Sequence, residues 1–104
     1  HNVPPEPIEQ TFMAHCPEAE QCMLIGHGRP FLSIIVTGDV GESTVQAAIE
    51  RANSELPHYR KIRKFHLSPE LFAIENGLLT ANQKLRRKVI EAHYKSALEG
   101  LYAS

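Results

Sequence analysis

The sequence predicts an α+β domain, in which a small mixed or antiparallel sheet with a β-hairpin is flanked by three helices. Two stretches, residues 21–25 and 31–37, are rich in apolar and β-branched residues and are separated by the glycine-containing loop GHGRP. Three other segments repeat apolar residues at helical spacing. The length of 104 residues suits a single domain, residues 1–104.

The first half of the chain predicts one helix followed by the hairpin. Prolines in the first turn favour a helix over residues 4–15, and Pro17 ends it. Residues 21–25 and 31–37 then form two paired strands. Because residues 31–36 are almost continuously apolar, we expect the second strand to be covered on both faces.

A second helix and a third strand follow. Ser43 and Gln46 have the spacing of a capping box, which predicts that the helix begins at Ser43. Its apolar stripe comprises Val45, Ala48, Ile49, Ala52 and Leu56. Residues 62–67 predict a strand whose alternation places Phe65 and Leu67 on one face and Lys64 and His66 on the other.

The last quarter predicts a second hairpin and a final helix. Asn76-Gly77, between residues 72–75 and 78–80, is a strong signal for a tight hairpin turn. The final helix is expected from Arg86 to about Leu101, and its apolar stripe comprises Ile90, Tyr94, Ala97 and Leu101.

Composition and spacing argue against several classes of function. A formal net charge of −1 and few exposed aromatic candidates disfavour nucleic-acid binding, so the basic run at residues 60–64 reads as a solvated edge. The C-x5-C spacing of Cys16 and Cys22 does not match a zinc site, so we expect reduced thiols in a cytoplasmic protein and no bound metal. No apolar run reaches the roughly 18 residues of a transmembrane helix.

Lys84 has the most distinctive local setting. It follows a polar loop and lies directly before a predicted helix in the segment IENGLLTANQKLRRKVI, residues 74–90. A cation near a helix N-terminus is mildly unfavourable, by a few tenths of a kcal/mol or more. Residue statistics alone favour a solvated lysine here, but helix stability does not explain its presence.

Three segments, NVPPEPIE, LPHYRKIRKF and ENGLLTANQKLRRKVI, resemble the C-terminal domain of the AMP-forming acyl-CoA synthetases, nearest to the long-chain fatty acid branch. The resemblance implies that Lys84 is the adenylation lysine. It would hold a fatty acid carboxylate beside the α-phosphate of ATP, with Mg²⁺ on the phosphates, while acyl-AMP and pyrophosphate form. The domain would then rotate about a hinge so that coenzyme A attacks the acyl-AMP.

The resemblance also implies partners and further site residues. The N-terminal adenylation domain of such enzymes, with its nucleotide pocket and acyl tunnel, is absent from these residues. We therefore expect the isolated chain to be inactive and to bind ATP and coenzyme A weakly or not at all. Asn2 and Val3, near the hinge, are implied on the face used for thioester formation. The implied contacts to the phosphates of coenzyme A are Arg60, Lys61, Arg63 and Lys64, with a solvated edge as the alternative.

The chain departs from the common family pattern at three positions. Gln83 stands where a glycine usually precedes the lysine, Pro4 replaces the usual Ser or Thr cap of the first helix, and the hinge Asp or Lys is absent or replaced by His1. The alternative function is a free-standing α+β interaction domain that binds a partner through its basic edge at residues 60–64.

Overall fold

The central element is the strand β2 (Leu32–Thr37), all of whose residues are buried. In the computed structural model, which describes residues 3–103, β1 (Gln21–Ile25) pairs with one side of β2 antiparallel and β3 (Ile62–Ser68) pairs with the other side parallel. The sheet is therefore mixed and contains the predicted β1–β2 hairpin. The prediction that the second strand is covered on both faces is confirmed.

The helices lie on both faces of this sheet. They are α1 (Pro5–His15), α2 (Glu42–Asn53), α3 (Arg87–His93) and α4 (Lys95–Tyr102), with a short 3₁₀ turn at His58–Arg60. The α+β class is confirmed, and residues 3–103 contain four α-helices in place of the three predicted. Within residues 3–103, no helix is both long enough and apolar enough to cross a membrane.

Two apolar clusters, one on each face, hold the layers together. The first cluster joins α1 and α2 to the sheet, and the second joins the sheet to α3, α4 and the segment that precedes them. The first cluster contains Ile8, Phe12, Cys16, Ala19, Cys22, Leu24, Leu32, Ile34, Val36, Val45, Ala48, Ile49 and Ile62. The second contains Met23, Ile25, Ile35, Phe72, Leu78, Ile90 and Leu98. The alternation of β1 and β2 residues between the clusters follows from the two-residue period of a strand.

The predicted final helix is broken at Tyr94. This residue caps α3 and precedes α4, with φ −104° and ψ 23°, outside the helical range. Leu98 is buried in the second cluster, whereas Ala97 of the predicted stripe is partly exposed. Tyr94 keeps its predicted inward position and packs against the second cluster.

Two local predictions are wrong, one at the start of α2 and one around Asn76-Gly77. Helix α2 begins at Glu42 with Gly41 as its N-cap, and no side chain caps it, so Ser43 does not form a capping box. The predicted strands around Asn76-Gly77 are absent. The Asn76 carboxamide instead accepts from the N–H groups of Ala73 and Leu78, which closes a local turn.

A buried ion pair joins α1, the sheet and α3. Glu9 is 8% exposed, and its carboxylate accepts both Nη1 and Nη2 of Arg87, at 2.7 and 2.9 Å. The same carboxylate accepts the N–H of Leu24 at 2.7 Å, on the side of β1 that faces away from β2. The hydrogen bonds that Arg87 donates to Glu9 raise the pKa of its guanidinium further above the usual value. Glu9 thus provides an acceptor both for an N–H group of an edge strand and for a half-buried cation.

Removing Arg87 should therefore destabilise the fold more than removing its neighbour. We expect Arg87→Ala to lower the free energy of unfolding by about 2 kcal/mol, since it leaves the Glu9 carboxylate buried with a single donor, and since partial exposure screens part of the pair. Urea denaturation of Arg87→Ala and of the control variant Arg86→Ala measures the loss in the free energy of unfolding. Arg86→Ala is the control, because Arg86 is exposed and its side chain donates only to the carbonyl of Gly77. Equal losses for the two variants would contradict the assignment.

Candidate functional site

Lys84 is held at the end of a tight turn formed by residues 80–84, here called the lysine turn. The N–H of Gln83 donates to the carbonyl of Thr80 at 2.7 Å, and the N–H of Thr80 donates to the carbonyl of Lys84 at 2.8 Å. The hydroxyl of Thr80 also accepts the N–H of Lys84 at 3.1 Å. Three hydrogen bonds across five residues fix the backbone at Lys84.

Leucines on either side attach the lysine turn to the core. Leu79 and Leu85 form an antiparallel bridge, and both pack against the second cluster. Because neighbouring residues of an extended chain point to opposite sides, Lys84 faces outward while Leu85 faces inward. The Lys84 side chain is exposed, and none of residues 3–103 forms a hydrogen bond or an ion pair with its ammonium.

Gln83 takes the left-handed conformation that the lysine turn requires. Its φ is +62°, which makes it the non-glycine residue with positive φ in the described part of the chain. A three-residue hairpin loop normally ends in a left-handed residue, for which glycine has no steric penalty. This explains why a glycine commonly precedes the lysine in the resembling family, and it indicates that Gln83 preserves the loop shape at a conformational cost.

A basic cavity of about 460 Å³ lies beside β3, on the side of the loop that joins β1 to β2. Its lining combines several cationic groups with aromatic rings, and no carboxylate of residues 3–103 contributes to it. The lining residues are Val3, Gly26, Arg29, Pro30, Phe31, Leu32, His58, Tyr59, Lys61 and Arg63. The volume falls within the range of small-molecule sites, and the charge favours an anionic group.

A β-bulge places Arg63 in this cavity. Leu32 pairs with Ile62 and Ser33 pairs with Lys64, so Arg63 is the extra residue of β3. Bulges redirect side chains in this way. The bulge also corrects the simple alternation expected for the basic run, because Ile62 and Phe65 now both pack into the first cluster.

A second cavity of about 210 Å³ adjoins the first, since Val3 and Gly26 line both. Its other lining residues are Pro5, Leu24, His27, Arg87 and Glu91. Together the two cavities form a groove, which runs from the basic cavity along the edge of β1 to Arg87, at the start of α3.

The structure brings together only some of the residues that the sequence singled out. Val3 and Arg63 line the basic cavity, whereas Lys64 does not: its ammonium donates to the carbonyl of Leu101 at 2.9 Å. Asn2 lies outside the described residues. Arg29 and Phe31 line the cavity but were missed, because they lie in a hairpin loop distant in sequence from the basic run. A loop arginine carries no periodic signal.

Both cysteines are buried in the first cluster and are unpaired. Burial raises the pKa of the Cys16 thiol above its usual value and that of Cys22 to about 12, so both are protonated at neutral pH. They serve as small apolar residues of the core.

Comparison with known proteins identifies the family. The model of the AMP-binding enzyme C-terminal domain matches residues 1–104. The chain belongs to this family. The resemblance drawn from the lysine motif and from the two other segments is therefore confirmed.

Relatives of known name are ligases of fatty acids. The chain is 28% identical over 127 residues to the long-chain-fatty-acid–CoA ligase FadD15 of Mycobacterium tuberculosis, covering 97% of this chain and 21% of that protein. It is 31% identical over 114 residues to the long-chain-fatty-acid–[acyl-carrier-protein] ligase AEE15 of Arabidopsis thaliana, covering 98% of this chain and 16% of that protein. The chain thus spans about a fifth of the length of these relatives or less.

Solved structures agree in fold. The A domain of carboxylic acid reductase from Segniliparus rugosus, in complex with AMP and a co-purified carboxylic acid, superposes with a TM-score of 0.83 at 26% identity, covering 97% of this chain and 18% of that one. The structures of adenylate-forming enzymes therefore contain this fold as a small part of a longer chain.

Relieving the backbone at Gln83 should stabilise the protein. We expect Gln83→Gly to raise the free energy of unfolding by up to about 1 kcal/mol, because the relief of left-handed strain exceeds the entropy that glycine gains in the unfolded chain. Thermal denaturation with a denaturant series measures this. Ala81→Gly is the matched control in the same turn, since Ala81 has an ordinary φ, and it should lose about 0.5–1 kcal/mol. Destabilisation by both variants would contradict the interpretation.

Proposed function

We propose that this chain is the C-terminal domain of an AMP-forming acyl-CoA ligase that acts on long-chain fatty acids, and that Lys84 is its adenylation lysine. The observation that carries the proposal is the lysine turn, which presents an exposed, unpaired ammonium from a backbone fixed by three hydrogen bonds. The names of the relatives support the substrate class.

The chemistry needs a cation between two anions. A fatty acid carboxylate attacks the α-phosphorus of ATP, and the bond to pyrophosphate breaks as acyl-AMP forms. Bringing a carboxylate to a triphosphate inside a closed site is electrostatically unfavourable. An ammonium that contacts both the carboxylate and the phosphate oxygens offsets this repulsion and aligns the attack. A fixed backbone with a free side chain suits this task.

Mg²⁺ enters this proposal only as the partner of the ATP phosphates. Residues 3–103 contain no group of three His, Cys, Asp or Glu side chains placed to hold a metal ion. In this proposal, the charge that the domain supplies at the phosphates is that of Lys84.

The basic cavity supplies the second face of the proposed mechanism. After acyl-AMP forms, rotation of the domain would withdraw Lys84 and present the cavity, where Arg29, Lys61 and Arg63 would bind the phosphates of coenzyme A. The adjoining groove beside Val3 offers a path for the thiol-bearing arm. This assignment retains Lys61 and Arg63 from the sequence-based set, leaves out Arg60 and Lys64, and adds Arg29.

The alternative, a free-standing interaction domain with a basic edge at residues 60–64, has less support. A continuous docking edge would present its charges along one strip. Here the bulge directs Arg63 into the cavity, and Lys64 is tied to the end of α4. We therefore favour the enzyme domain.

Lys84→Ala, made in the longer enzyme, should separate the two half-reactions. We expect acyl-AMP formation to fall by about 10²–10³-fold, since a preorganised charge at the reacting groups is lost. Thioester formation from supplied acyl-AMP should stay within about threefold of the unaltered enzyme, because Lys84 is withdrawn in that step. Pyrophosphate exchange measures the first step, and release of acyl-CoA measures the second.

Lys88→Ala is the matched control for Lys84→Ala. Lys88 lies one turn further along the chain, exposed on α3. Its replacement by alanine therefore removes an equal charge without altering the lysine turn. It should leave both half-reactions unchanged. An equal loss of both steps in Lys84→Ala would argue against a lysine used in adenylation alone.

Removing positive charge from the basic cavity should raise the KM for coenzyme A. We expect the double variant Lys61→Gln with Arg63→Gln to raise the KM for coenzyme A by about a hundredfold or more, since charged hydrogen bonds to phosphate contribute roughly 1.5–3 kcal/mol each. The rate of acyl-AMP formation should not change. Lys95→Gln, on the exposed side of α4, is the control. An unchanged KM in the double variant would contradict the assignment of the cavity to coenzyme A, but it would not bear on the role proposed for Lys84.

A further inference from the structure

Tyr102, at the end of α4, reaches back to the loop between β1 and β2. Its hydroxyl lies 2.8 Å from the carbonyl oxygen of Phe31 and 2.8 Å from the hydroxyl of Ser33. Because a carbonyl only accepts, Tyr102 donates to Phe31 and accepts the hydroxyl hydrogen of Ser33. The carbonyl of Ile25 lies 3.4 Å away, so the hydroxyl contacts both ends of the loop.

The ring of Tyr102 completes a stack of two cations and two aromatic rings. Its centroid is 4.5 Å from that of Phe31, and the guanidinium carbon of Arg29 is 4.8 Å from the Tyr102 centroid. On the Phe31 side, the ammonium of Lys64 lies 5.5 Å from the ring centroid, and it also donates to the carbonyl of Leu101. The end of α4 is thereby fastened to β3 and to the loop.

Arg29 depends on this stack for its position. The loop that carries it contains Gly26 and Gly28, the latter at φ +72°, so its backbone is only weakly restrained by sequence. Within the described residues, the guanidinium of Arg29 has no carboxylate partner, and its recorded side-chain contact is the Tyr102 ring. Its N–H donors therefore remain available to an anion in the basic cavity.

We propose that Tyr102 is a positioning residue for the basic cavity: it holds Arg29 and Phe31 in the arrangement that binds a phosphate of coenzyme A, without touching the ligand itself. This rests on the function proposed above for the cavity. Arg29 and Phe31 line the cavity, whereas Tyr102 lies behind them. An arginine fixed on a ring loses less conformational freedom on binding a phosphate than a free one does.

The proposal concerns one of the two half-reactions. Among residues 3–103, the hydrogen bonds and ring contacts of Tyr102 reach the β1–β2 hairpin and Arg29, and none reaches the lysine turn. A loss at Tyr102 should therefore alter the KM for coenzyme A and leave the rate of acyl-AMP formation unaltered.

The test uses Tyr102→Leu and Tyr102→Phe in the longer enzyme, with coenzyme A as the varied substrate. Tyr102→Leu removes the ring and should raise the KM for coenzyme A by about tenfold, the effect of a partly buried cation–π contact. Tyr102→Phe keeps the ring and loses only the hydroxyl, so it should raise the KM by about threefold or less. Pyrophosphate exchange should match that of the unaltered enzyme in both variants.

Tyr94→Leu and Tyr94→Phe are the matched controls. Tyr94 is also half-buried against the second cluster and also shares a hydrogen bond with a serine, Ser68, but it contacts no residue of the basic cavity among those described. These variants reproduce the general loss of packing and should not move the KM for coenzyme A. If Tyr94→Leu raises that KM as much as Tyr102→Leu does, the effect is structural and the proposal is overturned.

Arg29→Gln distinguishes failure of this inference from failure of the proposed function. We expect its KM to equal that of Tyr102→Leu, and the double variant Arg29→Gln with Tyr102→Leu to add little, because Tyr102 acts through Arg29. If the Lys61 and Arg63 variants raise the KM while Tyr102→Leu leaves it unchanged, the positioning role of Tyr102 is rejected and the assignment of the cavity to coenzyme A is retained. If none of these variants changes the KM, the assignment of the cavity to coenzyme A falls, and the positioning role falls with it.

Discussion

The buried carboxylate of Glu9 is the interaction on which the arrangement of this domain depends. A sheet with β1 at its edge leaves N–H groups of that strand without strand partners, and a buried unpaired N–H is costly. Glu9 accepts a hydrogen bond from one of these groups, the N–H of Leu24, and forms an ion pair with Arg87. One side chain of α1 therefore attaches the start of α3 to β1, and the lysine turn ends only three residues before Arg87.

The two proposed working parts are supported in different ways. The lysine turn is rigid because its own backbone hydrogen bonds close it and because two leucines attach it to the second cluster. The basic cavity is assembled from a hairpin loop, the 3₁₀ turn and the bulged end of β3, so its shape depends on contacts between distant segments. The rotation proposed for this domain would need both kinds of support, since neither part could rely on contacts with the domain against which it would move.

Much of the fold could be predicted because its elements are strongly periodic. The bounds of β1 agree with the prediction, and α1, β2 and β3 agree to within a residue or so. The failures lie where a local signal competed with other partners. Asn76-Gly77 suggested a hairpin, but the Asn76 side chain satisfied the backbone within its own turn. The final helix was predicted as continuous because its stripe runs through Tyr94, where the chain changes direction.

By itself, the sequence determined the first two helices, the three strands of the sheet, the burial of the central strand and the family, because each leaves a local pattern of apolar spacing or a motif in consecutive residues. Only the tertiary structure decided that Gln83 adopts a left-handed conformation, that Arg63 and not Lys64 enters the cavity, and that Arg29, Phe31 and Tyr102 meet. The reason is that these contacts join segments that are distant in sequence: Tyr102 and Phe31, for example, are 71 positions apart. No periodicity along the chain predicts contacts of this kind.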